Sequence, residues 1–140
     1  MLVAALALLL YSYSPEGKDC GSDIDCFMEY ANNCRPASLT VDFAGNILEY
    51  HSTGDCRLIK KIAKVTPSES IEVKDFLEGK EMVCDYGVLY LNQTWIENFA
   101  TGLESCQGEL KDAIVDLRFV LADMENTELA ENMTSWYDLS

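Results

Sequence analysis

Six cysteines, Cys20, Cys26, Cys34, Cys56, Cys84 and Cys106, are the residues of this 140-residue chain best equipped for chemistry, and their even number points to disulfides. No Cys-x-x-Cys pair occurs and the spacings match no zinc ribbon or finger, so no metal is implied. Cys56 opens one expected strand and Cys84 lies in another, which favours a Cys56–Cys84 bridge. Cys106 is then expected to fasten to Cys20, Cys26 or Cys34 around the first helix. A cysteine nucleophile would need a base, and His51 is the only histidine. Glu49, two residues earlier on an expected strand, shares its face. Because the even count leaves no thiol spare, His51 reads as a surface residue of a hairpin and no catalytic residue is assigned.

The other candidates carry less specific chemistry. Asp23 and Asp25 bracket a helix start, where carboxylates stabilise the positive end of the helix dipole, and Asp19–Asp25 does not follow the alternating-oxygen pattern of a calcium loop. Tyr86, Tyr90 and Trp95 could line a ligand groove, although aromatics on strands and helix starts more commonly fill cores. Asn92-Gln93-Thr94 and Asn132-Met133-Thr134 are sequons for N-glycosylation. No glycine-rich phosphate loop or nucleophile elbow is present, so no cofactor is expected. The formal charge of -14 repels phosphate backbones and disfavours nucleic acid, so no nucleic-acid partner is expected, and much of the acidity falls in residues 97–140, with 10 acids and 2 bases.

These residues must be positioned by elements that the patterning outlines. Ser22 resembles a helix cap, and Ile24, Phe27, Met28 and Ala31 mark one face of a helix over about 23–33, ended by Arg35-Pro36. Alternation at Leu39, Val41 and Phe43, turn residues Ala44-Gly45-Asn46 and a second strand to His51 describe a hairpin. Cys56 to Val65 reads as a third strand, with Lys60, Lys61 and Lys64 on an exposed edge or face. Ser70 to Glu78 reads as a short helix and Met82 to Leu91 as a fourth strand. Thr94-Trp95-Ile96-Glu97 looks like a capping box. Leu103, Cys106, Leu110, Ile114, Leu117 and Leu121 then extend a long amphipathic helix, weakened at Gly102 and Gly108.

The expected architecture is α+β: a short N-terminal helix, an antiparallel sheet of three to four strands, and a long C-terminal amphipathic helix packed on the sheet. Residues 1–14 read as a signal peptide or the remnant of a membrane anchor. Met1 to Leu10 is wholly apolar and too short to span a bilayer, though it lacks a preceding Lys or Arg. Residues 15–122 form the disulfide-stabilised domain and residues 123–140 an acidic flexible tail.

The stretch Asp19–Phe27 with Cys34-Arg35-Pro36-Ala37, then Gly79–Cys84 and Cys106–Leu110, resembles a set of small exported archaeal and bacterial domains. In these a Cys-Gly-x-Asp-x-x-Cys-Phe helix precedes a small sheet, often behind a signal or anchor. The resemblance spans about residues 19–115 and implies no activity. The expected function is a non-enzymatic extracytoplasmic binding or cell-surface interaction domain, secreted or anchored on the outer face. Its partner would be a protein or small molecule, and it would touch a membrane only through an uncleaved anchor. An extracytoplasmic enzyme or thiol-redox protein, and a structural envelope component, are the alternatives.

Overall fold

The computed structural model describes residues 17–87 and 90–124, so the expected export segment at 1–14 and most of the tail at 123–140 lie outside the described residues. Each element grows from a local signal. Asp23, rather than Ser22, caps helix α1 (Ile24–Asn32), its carboxylate accepting from the Cys26 amide at 3.0 Å. Strands β2 (Ala37–Phe43) and β3 (Asn46–Ser52) join through Ala44 and Gly45, both at positive φ, and Asp42 accepts from the Gly45 amide at 2.8 Å. β4 (Arg57–Lys64) follows, then α2 (Ile71–Leu77) capped by Ser70, and β5 (Glu81–Asp85).

Two further strands lie where no alternation exists to announce them. Lys18–Asp19 (β1) runs parallel to β2, and Cys106–Gln107 (β6) pairs antiparallel with β5. The sheet is therefore six-stranded and mixed, in the order β1-β2-β3-β4-β5-β6, and the expected antiparallel sheet of three to four strands is corrected. The run Met82–Leu91 stays a strand only to Asp85.

The long helix expected from Thr94 does not form. Thr94–Glu97 is a single turn (α3) whose cap position is Gln93 with no side-chain cap, a 3-10 turn occupies Leu103–Ser105, and a helix resumes only at Glu109–Met124 (α4). Two glycines explain the break. Gly102 sits at φ +76 and Gly108 at φ +126, both incompatible with helix. A Cβ on Gly102 would meet the Trp95 ring at 2.1 Å.

The sheet alternates cleanly. Leu39, Tyr50, Lys60 and Met82 lie side by side on the covered face, one row from Val41, Leu48 and Ile62. Phe27 and Ala31 of α1, Leu77 of α2, Ile96 of α3 and Leu110 of α4 pack into this same core. The helices therefore cover one face of the sheet.

Three disulfides staple this arrangement: Cys20–Cys26, Cys34–Cys56 and Cys84–Cys106. The expected Cys56–Cys84 bridge is corrected. Cys84 stands directly opposite Cys106 across the β5–β6 pair and opposite Leu58 on β4, whereas Cys56 lies in the turn before β4 beside the loop that follows α1. Cys106 is likewise held to the sheet and not to the first helix. Both Cys34 and Cys56 have positive φ, 49° and 60°, so their bridge joins two backbone positions that non-glycine residues seldom occupy.

Candidate functional site

Among the described residues no helix covers the second face of the sheet, and this open face carries the residues placed to meet a partner. Its central row, read across the strands, is Asp19, Ser38, His51, Ile59, Val83 and Gln107. The adjacent row is Thr40, Glu49, Lys61 and Glu81, in which Lys61 pairs with Glu49 at 3.5 Å. Ile59 and Val83 are half-buried and His51 is exposed, so the face mixes apolar and charged groups as a contact surface does. At its β1 edge lies a shallow concavity of about 390 Å³, lined by Asp19, Pro36, Ser38, His51 and Ser52 among others.

The row Asp19–Ser38–His51 contains the residue types of a nucleophile, a base and an orienting acid. Their order defeats that chemistry. A catalytic imidazole needs the acid on the side away from the hydroxyl, but here Ser38 stands between Asp19 and His51. The Asp19 carboxylate instead accepts from the Gly21 amide at 2.9 Å, and Glu49 is engaged by Lys61. The structure brings His51 and Glu49 to one face without joining them, and the arrangement suits binding better than proton transfer.

The three aromatics Tyr86, Tyr90 and Trp95 are not brought together on one exposed surface among the described residues. Tyr86 is 2% exposed with its hydroxyl donating to the Ala31 carbonyl at 2.5 Å, Trp95 is buried beneath Gly102, and Tyr90 alone is exposed, at 78%. Two are core residues and the third stands apart on the surface. Asn92 and Thr94 are exposed, while Asn132 lies outside the described residues.

The exposed edge or face expected for Lys60 is corrected: β4 is an interior strand and Lys60 is fully buried. Its Nζ donates to the carbonyls of Phe99 at 2.9 Å and Thr101 at 3.0 Å, and lies 5.4 Å from the Trp95 ring centre and 5.6 Å from that of Phe99. Burial drives its pKa down to about 7. Directly across on β3, Tyr50 donates to the Ile96 carbonyl at 2.9 Å, and burial pushes its phenol upward. The two polar side chains thus hold the backbone of residues 96–101 onto the sheet. The signal was present in the alternation, because Lys60 shares parity with the buried Leu58 and Ile62.

All six cysteines are paired, which leaves no thiol on any face. Comparison with known proteins finds no matching family model, no matching curated protein and no matching solved structure.

Proposed function

We propose that this chain is an extracytoplasmic, non-enzymatic binding domain, secreted or anchored on the outer face, which meets a protein partner through the uncovered face of its sheet. The observation that carries the reading is one-sided packing: every described helix contributes its buried residues to the same core, and the row through His51, Ile59 and Val83 is left without a covering layer among the described residues. A broad face with apolar centres and alternating charge favours a protein surface over a small ligand. Three intramolecular disulfides are compatible with an extracellular location, since such bonds persist in oxidising compartments. The pairing of all six cysteines supports a structural framework over the thiol-redox alternative, which would need one of the three bridges to be readily reducible.

The test places a photo-crosslinking residue at Ile59 on the uncovered face, or at exposed Glu72 on α2, in the full chain expressed in its native cells. Capture of one defined partner outside the cytoplasmic membrane from Ile59, and none from Glu72, is expected. Equal capture from both positions, or capture only of cytoplasmic proteins, would contradict the reading.

A further inference from the structure

Tyr90 and Ile71 are the two large hydrophobic residues left exposed among the described residues, and Tyr90 stands two positions before the sequon asparagine Asn92. Leu91 between them is fully buried, so the chain alternates outward, inward, outward, and Tyr90 and Asn92 flank a buried anchor on the solvent side. Asn32 fixes that anchor from both directions: its Nδ2 donates to the Leu91 carbonyl at 2.9 Å, and its Oδ1 accepts from the Leu91 amide at 2.8 Å. The backbone beside the sequon is thereby tied to the last residue of α1.

The geometry of Asn92 leaves its reactive atom available. Its Oδ1 accepts from the amide of Thr94, the hydroxyl residue of the sequon, at 3.0 Å, in a local Asx turn. Its Nδ2 makes no hydrogen bond within the described residues, unlike Nδ2 of Asn32 and Asn33, which donate to the carbonyls of Leu91 and Glu29. Asn92 and Thr94 are both exposed.

We propose that Asn92 is an N-glycosylation site whose first sugar rests on the ring of Tyr90, an inference that relies on the extracytoplasmic reading. In the transfer, Nδ2 of Asn92 displaces the phosphate from C1 of a lipid-phosphate-linked oligosaccharide. The N–C1 bond forms and the C1–O bond breaks, the amide proton passes to the transferase's base, and the lipid phosphate leaves. The polarised C–H groups of the sugar then lie against the electron-rich face of the phenol ring, giving an exposed aromatic a packing partner.

The experiment expresses the full chain behind a cleavable leader in a glycosylating secretory host, as the wild type and as Asn92→Gln, Thr94→Ala, Thr94→Ser, Asn132→Gln and Tyr90→Ala. Intact mass is read before and after peptide N-glycosidase. The expected wild type carries a glycan that Asn92→Gln and Thr94→Ala abolish and Thr94→Ser retains. Stripping the glycan should lower the Tm of Asn132→Gln, and adding Tyr90→Ala to that variant should abolish this shift. Secreted, fully oxidised wild type with unmodified Asn92 overturns the site while leaving the extracytoplasmic reading intact. Equal Tm shifts with and without the Tyr90 ring overturn the stacking role, and retention of the chain inside the cell with reduced cysteines overturns both proposals.

Discussion

Lys60 is buried with no carboxylate partner among the described residues, and this couples the stability of the fold to pH. In the unfolded chain this amine keeps its ordinary pKa of 10.5, while in the folded protein burial lowers it to about 7. Between those values the unfolded state binds more protons than the folded one, so stability rises with pH across the window, by about 1.4 kcal/mol per unit at its steepest. Tyr50 acts with the opposite sign. Its phenol is raised above the ordinary 10.0, so above about pH 10 the unfolded state ionises first and stability falls again. Denaturation followed from pH 6 to 11 is therefore expected to show a rise and then a decline. Lys60→Met should flatten the rise, and Tyr50→Phe the decline, at a cost of about 1 kcal/mol for the lost bond to the Ile96 carbonyl. A wild-type profile flat from pH 7 to 10 would show that Lys60 stays charged in its cage.

At the level of elements, the segment from Thr94 to Gly108 depends on being broken. Gly102 supplies a left-handed turn and lets the Trp95 ring lie against its Cα, where a methyl would collide at 2.1 Å. Gly102→Ala is expected to destabilise the protein by more than about 2 kcal/mol, seen as a lowered denaturant midpoint with quenching or shift of Trp95 fluorescence altered in the native state. An unchanged midpoint would mean the segment is not packed as described. This break also marks where the sequence was hard to read. Leu103, Cys106 and Leu110 keep helical spacing although they belong to a 3-10 turn, a strand and a helix, because each faces the same core from a different element. The hairpin turn at Ala44-Gly45 and the Ser70 cap were legible, since their chemistry is local. Two-residue strands such as β1 and β6 carry no periodicity, and the disulfide partners follow from register, which a single sequence does not specify. Lys60 was legible in its parity with Leu58 and Ile62, but charge suggested exposure and the carbonyls that accommodate it come from residues about 40 positions away.

For the whole molecule, one-sided packing and covalent stapling belong together. A sheet covered on one face buries less apolar surface than a sandwiched one, and three disulfides offset that by restricting the unfolded chain, at roughly 2–4 kcal/mol each. On the function proposed above, the face left open among the described residues is the one that meets a partner, in a compartment that keeps the bridges oxidised. His51 was picked out by being the only imidazole, and the structure places it on this face, but the surrounding row came from strand pairing alone. The most direct measurement alkylates free thiols in intact native cells, separates cytoplasmic from extracytoplasmic fractions, and maps the cross-linked peptides without reduction. The expected result is a protein found outside the cytoplasmic membrane, with no alkylated cysteine and the pairs Cys20–Cys26, Cys34–Cys56 and Cys84–Cys106. A cytoplasmic protein with alkylated cysteines would contradict the account.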